Sequence, residues 1–261
     1  VLSCCMENNK KRRGIKMNAH VLYFSPTGGT EKVAQLISGE LGADALDITV
    51  YNYDLSFGAD DLLFFCFPVY GGRIPAPMYK RMDNIRGSMT PAVMVAVYGN
   101  RAVDDALIEM SDLARRQGFR TVGGCEMIAP HSIDRHFGAG RPDADDTALL
   151  KDFLGRLMAK EKLTTVAMPG SHDYKKYKGL PIHPVSGKEC SGCGTCAQEC
   201  PTGAIDPGDP MKPDTDKCIS CMRCVSVCPF EVRHVPKPAL LAAKAALAAK
   251  CAGRKEPKFY L

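Results

Sequence analysis

The chain has 261 residues, which is enough for one large domain and a small one, or for two modest domains. It carries 34 Lys and Arg against 29 Asp and Glu, but from Met17 onward 29 basic residues face 28 acidic ones. The body of the chain therefore lacks the basic excess typical of nucleic-acid binding. No apolar run approaches the ~20 residues of a membrane-spanning helix, so we expect neither a nucleic-acid partner nor a membrane span.

Residues 1–16 contain the remaining basic cluster, which is Lys10, Lys11, Arg12, Arg13 and Lys16. No apolar stretch follows it, so neither a secretory signal nor a twin-arginine export signal is expected. Because Met17 stands directly before the first strand-like run, we predict that 1–16 is a disordered extension or the product of an upstream start. A basic arm that binds nucleic acid is the alternative.

The first strand-like run, residues 18–25, leads into a turn and then into an amphipathic helical pattern at 31–42. A strand, a turn rich in glycine and hydroxyl groups, and a helix N-terminus together predict an anion site. The turn lacks the lysine of a nucleoside-triphosphate loop and does not read G-x-G-x-x-G. A phosphate held by hydroxyls and amides alone suits a mononucleotide such as FMN, and a purely structural turn is the alternative. The candidate phosphate ligands are Ser25, Thr27, Gly28, Gly29 and Thr30.

Further strand-like runs occur at 44–49, 60–67, 91–98 and 120–128, and helical stretches at 76–84, 103–117 and 143–160. This alternation, with nearly continuous apolar strands, predicts an α/β fold with a doubly wound parallel sheet. In the flavodoxin-like strand order, a ligand binds beyond the carboxyl ends of the strands.

Two more loops should meet the 25–30 turn at that edge of the sheet. Tyrosines there can wall a flat ring, and glycines permit close backbone approach; capping of strand ends is the alternative. The candidate residues of the first loop are Pro68, Val69, Tyr70, Gly71 and Gly72. Those of the second are Tyr98, Gly99, Asn100 and Arg101. The loop after the fifth strand adds His131 and Ser132, which contact the ligand or are structural.

Residues 164–186 contain several Pro and Gly and are predicted to be a linker laid over the surface. Two runs of the form C-x2-C-x2-C-x3-C-P then follow at a spacing of 28 residues, which indicates an internal pseudo-twofold repeat. This is the pattern of bacterial proteins with two iron–sulfur clusters, in which the fourth cysteine of each run ligates the other cluster.

The spacing therefore predicts two [4Fe–4S] clusters in a small domain at 187–236. The ligands of cluster I would be Cys190, Cys193, Cys196 and Cys228, and those of cluster II would be Cys218, Cys221, Cys224 and Cys200. Zinc sites usually show paired C-x2-C knuckles or His ligands, and they are the alternative together with disulfides. The other five of the 13 cysteines are scattered without a disulfide framework, so we expect a cytoplasmic protein.

The alanine-rich stretch at 238–253 predicts a helix that ends at Gly253 and docks through Leu240, Leu241 and Leu247. A helix that binds a partner is the alternative. With the tail it forms the segment 237–261.

These motifs together resemble the flavodoxin–ferredoxin fusion proteins of anaerobic bacteria. The resemblance runs from Met17 and is carried by both cysteine runs, by SPTGGT at 25–30, PVYGGRIPAP at 68–77 and YGNRAVDDAL at 98–107, and by the closing RKEPKFYL at 254–261. It implies a flavodoxin-like FMN domain at 17–163, a C-terminal two-cluster ferredoxin domain and electron transfer, and it names no partner.

We therefore expect a low-potential electron carrier that couples FMN to two clusters and exchanges electrons with a redox protein partner. The rival hypothesis is a flavoenzyme, an iron–sulfur flavoprotein oxidoreductase that reduces a small substrate at FMN. A substrate-sized pocket beside the flavin would favour that rival. No nicotinamide fingerprint is present in the sequence, and the sequence leaves open whether the chain forms a homodimer.

Overall fold

The computed structural model describes residues 17–261, so the expectations for 1–16 lie outside the described part. The strands are β1 (Asn18–Tyr23), β2 (Ala45–Asp47), β3 (Leu55–Phe57), β4 (Asp61–Pro68), β5 (Ile85–Gly87), β6 (Thr90–Tyr98), β7 (Phe119–Ile128), β8 (Val185–Ser186), β9 (Arg233–His234) and β10 (Lys258–Tyr260). The helices are α1 (Gly29–Leu41), α2 (Pro77–Met82), α3 (Ala106–Arg116), α4 (Ala144–Met158), α5 (Thr195–Gln198), α6 (Arg223–Ser226) and α7 (Lys237–Ala248).

Six strands form the main sheet in the order β10-β7-β6-β4-β1-β2. All neighbouring pairs among β2, β1, β4, β6 and β7 are parallel. Taken in chain order, those five strands have the 2-1-3-4-5 arrangement of a flavodoxin-like fold. The predicted fold class is confirmed, and all five strand-like runs form strands of this sheet.

The alternation of side chains along the central strands builds a core on each face of the sheet. On β4, Phe65 and Phe67 pack on the face that α2 and α3 cover, whereas Phe64 and Cys66 pack on the face that α1 and α4 cover. Because both faces are buried, the strands read as continuous apolar runs. The connecting loops are therefore left at the two ends of the sheet.

Two features of this domain were not predicted. Strands β3 and β5 form a separate parallel pair, and β10 pairs antiparallel with the edge strand β7. The Tyr260 hydroxyl donates to Glu126 Oε1 on β7 at 2.6 Å. The end of the described chain thus returns to the first domain after the cysteine-rich part and covers an exposed sheet edge.

The cysteine-rich part is small and built as a repeat. Strands β8 and β9 pair antiparallel, and each cysteine run contributes one short helix, α5 or α6. Both helices follow a residue with a left-handed backbone, Gly194 or Met222. Equivalent backbone turns therefore recur 28 residues apart.

The prediction for the C-terminal helix was partly wrong. Helix α7 ends at Ala248 rather than at Gly253, because Cys251 turns inward and its carbonyl accepts from Asn100 Nδ2 at 2.6 Å. Leu241, predicted to dock the helix, is 67 % exposed, whereas Ala243 on the inner face is buried. Across residues 17–261 the structure contains no helix with the length and apolar character needed to cross a bilayer.

Candidate functional site

The turn between β1 and α1 has the features of a phosphate cradle. Gly28 precedes the helix with a left-handed φ of 82° and has no side chain that could cap the amides of Gly29 and Thr30. The buried Ser25 accepts from the Glu31 amide at 2.9 Å and donates its own amide to Thr49 Oγ1 at 2.7 Å. These bonds hold the turn in shape, while the first amides of α1 and the Thr30 hydroxyl are available to an anion.

Above this cradle lies a cavity with about 80 Å³ of space for water-sized molecules, here called the junction cavity. Three predicted loops line it, through Ser25, Thr27, Gly29, Thr30, Pro68, Val69, Tyr70, Gly71, Tyr98 and Gly99. The loop after β7 contributes His131 and Ser132, as its position at the end of a strand predicted.

Two glycines of the cavity are required by close packing. A Cβ on Gly71, whose φ is 62°, would lie 2.2 Å from the ring of Tyr177 in the linker. A Cβ on Gly99 would lie 2.6 Å from His131 Cδ2. Any larger residue at either position would push an aromatic ring out of place.

The two predicted wall tyrosines differ in their surroundings. Burial, together with the nearby charge of Glu126, raises the pKa of Tyr98 to about 12. Burial also raises the pKa of Tyr70, and the neighbouring Cys221 and Tyr177 raise it further. Both phenols are therefore protonated at neutral pH. Tyr70 is the predicted wall residue that also lies beside a cysteine of the second run.

Four predicted binding residues do not line the junction cavity. Gly28 lies just before α1, and Gly72 packs against the side chain of Asp104. Asn100 donates to the carbonyls of Cys251 and Gly253, and Arg101 pairs with Asp104. Asn100 and Arg101 turn away because the C-terminal tail and a neighbouring carboxylate supply their partners.

His131 occupies the junction cavity in a defined state. Its Nδ1 accepts from the Ile133 amide at 3.2 Å, and burial lowers its pKa. The ring is therefore neutral at pH 7 with the proton on Nε2, which leaves one donor for a bound molecule.

Each group of four cysteines lines a small cavity of its own. Cysteine cavity I is lined by Cys190, Cys193, Cys196 and Cys228. Cysteine cavity II is lined by Cys200, Cys218, Cys221 and Cys224. Each cavity thus takes three cysteines from one run and the fourth from the other. All eight are free of disulfides.

The two cysteine cavities differ in exposure. Cys193 in cavity I is exposed to solvent, whereas its repeat equivalent in cavity II, Cys221, is 8 % exposed. Burial raises the pKa of the Cys221 thiol, and a hydrogen bond from Thr195 lowers the pKa of Cys193. Cavity I therefore faces the outside of the molecule and cavity II faces inward.

Cavity II adjoins the junction cavity. Ile219 and Ser220, which lie between two cysteines of cavity II, line the junction cavity as well. Arg223 Nη1 donates to the Pro26 carbonyl at the cradle at 3.4 Å, and Arg81 Nη2 donates to the Pro201 carbonyl at 3.1 Å. Both cysteine runs are thus bonded directly to the first domain.

Sequence reasoning missed the linker as part of the site. Tyr177 and Leu180 of the linker line the junction cavity, and the Leu180 carbonyl accepts from Ser220 Oγ at 2.8 Å. A second cavity of about 580 Å³ adjoins the first and shares Tyr70, Tyr177, Leu180 and Ile219 with it. A single tyrosine in an irregular segment carries no periodic pattern, so the sequence offered no signal for this contact.

The comparisons with known proteins place the C-terminal part clearly. Residues 189–232 match the 4Fe-4S dicluster domain family. A ferredoxin-like protein in the nif region of Sinorhizobium fredii is 38% identical over 55 residues, which are 18% of this chain and 86% of that protein. A component of the ion-translocating oxidoreductase complex of Methanosarcina acetivorans is 40% identical over 60 residues, 23% of this chain. The chain spans only 21% of that component.

Two solved flavodoxins are similar to the N-terminal part. A flavodoxin from Streptococcus pneumonia TIGR4 shows 18% identity and a TM-score of 0.39, covering 54% of this chain and 97% of that one. Flavodoxin 2 from Bacillus cereus, in its oxidised form, shows 16% identity and a TM-score of 0.39 with the same coverage of both chains. Such scores are low, so the fold class rests on the strand order of the main sheet. The chain thus joins a flavodoxin-like sheet to a C-terminal domain that belongs with the 4Fe-4S dicluster ferredoxins, which is the arrangement of a flavodoxin–ferredoxin fusion.

Proposed function

We propose that the chain couples one FMN, bound in the junction cavity, to two [4Fe–4S] clusters in cysteine cavities I and II. The observation that carries this proposal is that residues of both domains line one cavity: Ser25 and Tyr70 from the first domain, Ile219 and Ser220 from the second cysteine run. A flavin accepts one or two electrons and each cluster accepts one, so the pair converts between two-electron and one-electron chemistry.

The chemistry of the cradle supports FMN. The turn itself offers hydroxyls and helix amides, while Lys32 donates away from it to the Pro142 carbonyl at 2.9 Å. Two arginines, Arg135 and Arg223, donate to the turn carbonyls of Thr27 and Pro26 at 3.4 Å. A phosphate dianion at a helix N-terminus needs no counter-cation. Tyr70, Tyr98 and Val97 line the same cavity, and their side chains can pack against a flat ring next to the phosphate.

The geometry of the cysteines supports clusters over zinc. Cysteine cavities I and II each present four thiols and no histidine. Among residues 17–261 no three His, Cys, Asp or Glu side chains converge as a single metal ion would require. Four cysteine thiolates are the usual ligand set of a [4Fe–4S] cluster. We propose the eight cysteines as the ligands of clusters I and II in the sets given above.

The arrangement gives the electrons an order. Cavity II touches the junction cavity through Ile219 and Ser220, whereas cavity I has the solvent-exposed Cys193 and Phe230, which is 56 % exposed. We propose that a redox protein partner exchanges electrons at cluster I and that cluster II stands between cluster I and the flavin. Electrons then pass within one molecule from cluster II to the flavin, and the partner does not need to contact the flavin itself.

The first test of this function is the cofactor content and the phosphate contact. Anaerobically purified protein should hold about eight irons per chain, the content of two four-iron clusters, together with one FMN. Replacing Thr30 with Leu should lower FMN affinity by about one to two orders of magnitude, because hydrogen bonds to a charged group contribute ~1.5–3 kcal/mol each. Riboflavin lacks the phosphate, so it should bind the wild type weakly and should bind the Thr30→Leu variant with the same weak affinity. Equal affinity of the wild type for FMN and riboflavin would rule out the cradle, and two zinc ions would rule out the clusters.

The adjoining cavity favours a second candidate, a flavoenzyme that reduces a small substrate at FMN. At about 580 Å³ it has room for a substrate next to Tyr70 and Tyr177. His131, which would favour the enzyme if it pointed into a substrate pocket, lines the junction cavity and not this one. Filling the space with Ala76→Trp distinguishes the two: a carrier keeps its exchange with a reduced ferredoxin, whereas an enzyme loses turnover of small acceptors.

A further inference from the structure

Arg233 is a buried cation at a position where the repeat predicts an apolar side chain. It lies on β9 and is 2 % exposed. The residue 28 positions earlier is Ile205, which is 4 % exposed and packs with Cys196 and Cys224. A guanidinium remains charged at every relevant pH, and burying it is expensive unless a counter-charge is near. The exchange of isoleucine for arginine therefore needs an explanation.

The protein itself supplies only neutral partners for this cation. Its Nη1 donates to Ser186 Oγ at 2.8 Å and to the Pro210 carbonyl, and its Nη2 donates to the Pro184 carbonyl at 3.2 Å. No carboxylate among residues 17–261 forms an ion pair with it. Within that part of the chain, its Nε is also buried without a hydrogen-bond partner.

The cysteines of both cavities supply the missing negative charge. Arg233 lines cavity I, and its Nη1 lies 3.9 Å from Cys196 Sγ. Strand β9, which carries Arg233, packs against α6, the helix that contains Cys224 of cavity II. Ile205, the repeat equivalent of Arg233, packs against both Cys196 and Cys224. One guanidinium therefore lies beside the thiolates of both cavities.

We propose that Arg233 is the shared counter-cation of clusters I and II, with its Nε–H available to donate to sulfur, and that it raises the reduction potential of both. The proposal rests on the proposed function, since it requires clusters in both cavities. Reduction of a cluster adds one electron from the reductant and no proton, so each site gains one negative charge. A fixed positive charge stabilises that reduced state, and hydrogen bonds to sulfur act in the same direction.

The test is a potentiometric titration of anaerobically purified full-length protein, with the reduced clusters followed by EPR. Arg233→Gln keeps polar contacts to the surrounding carbonyls but removes the charge. We expect the ratio of reduced to oxidised cluster at the wild-type midpoint to fall about tenfold for both clusters, which is ~59 mV for a one-electron couple. Arg233→Lys retains the charge but not the planar fork, so its shift should be smaller.

The matched control is Arg120→Gln, which removes one positive charge at the amino end of β7, where Arg120 bonds to the Leu163 carbonyl at 2.8 Å. It should leave both potentials unchanged. Unchanged potentials in an Arg233→Gln protein that holds eight irons would overturn the proposal, and so would a shift of one cluster alone.

A second pair of variants decides the matter if Arg233→Gln loses iron. Ser186→Asp places a carboxylate against Nη1 and neutralises the cation in place, whereas Ser186→Asn has the same shape without the charge. Lower potentials of both clusters in Ser186→Asp, but not in Ser186→Asn, support the proposal; equal potentials in the two contradict it. Failure of the proposed function looks different, because the wild type itself would then lack iron.

Discussion

The two cysteine runs have identical spacing but different residues between the cysteines. In the first run, Gly192 and Gly194 take left-handed backbone angles of 69° and 77°. In the second run, the equivalent positions are Ser220 and Met222, at 55° and 65°. A left-handed conformation costs a residue with a side chain ~1–2 kcal/mol, whereas glycine adopts it freely. The two runs thus reach the same left-handed backbone conformation with different residues.

The difference follows from what each run faces. Ser220 bonds to the linker carbonyl of Leu180, and Met222 is 4 % exposed, packed with Ile182 of the linker and Ala243 of α7. A Cβ added to Gly192 or Gly194 of the first run would meet no atom of residues 17–261 within 4 Å, so both glycines lie in open space. Spacing therefore sets which cysteines gather, and the residues between them set whether a cavity faces the protein or the solvent.

The largest effect on this comparison should come from removing the crossing cysteines. Cys200 lies in the first run but lines cavity II, so Cys200→Ala should lose cluster II and retain cluster I. Iron should fall from about eight to about four atoms per chain, with the EPR signal of one cluster preserved. Cys228→Ala is the matched variant and should lose cluster I instead. Loss confined to the cluster of Cys190, Cys193 and Cys196 in Cys200→Ala would show that the ligand sets are wrong.

The same two variants compare how well each cavity protects its metal. Cys200→Ala should retain only the cluster beside the exposed Cys193, and Cys228→Ala only the cluster beside the buried Cys221. We expect a chelator with a mild oxidant to remove iron several-fold faster from Cys200→Ala, as followed by the loss of visible absorbance. Equal rates would contradict the distinction between an outward and an inward cavity.

A smaller effect is expected from converting the second run to the glycine pattern of the first. Met222→Gly should destabilise the protein by about 1–3 kcal/mol, because the lost burial of methionine exceeds the relief of backbone strain. The temperature at which the cluster absorbance disappears should fall by several degrees. Ser220→Gly is the control, since strain relief there offsets one lost hydrogen bond to within about 1 kcal/mol. A Met222→Gly protein as heat-stable as the wild type would show that this packing is unimportant.

The sequence predicted the main sheet because its strands are long and buried on both faces. The cysteine spacing likewise predicted which four cysteines line each cavity. Strand β10 was missed because three residues, Lys258–Tyr260, carry no recognisable period and gain their order from pairing with β7. The sequence also did not indicate which partners the side chains of Asn100 and Arg101 take. Polar residues after a strand can turn to either side, and here the C-terminal tail and Asp104 bind them.

The pattern of charged residues also did not predict which of them is buried in the cysteine-rich part. Arg233, in a stretch with Glu231 and His234, has the sequence context of a solvated segment, yet it is almost fully buried. Only the alignment of the two repeats, with Ile205 opposite Arg233, marks it as unusual. Contacts between segments that are far apart in the chain determine such positions, and local patterns do not report them.

In the proposed order of electron transfer, cluster II stands between cluster I and the flavin. Stopped-flow spectroscopy tests this order most directly. Flavin and cluster absorbance are followed separately while reduced ferredoxin is mixed with anaerobic wild type or Cys200→Ala protein, each loaded with FMN. We predict rapid flavin reduction in the wild type and a large slowing in Cys200→Ala, with direct reduction of FMN by dithionite unchanged in both. Rapid flavin reduction by the protein donor in Cys200→Ala, with cluster II absent, would contradict the account.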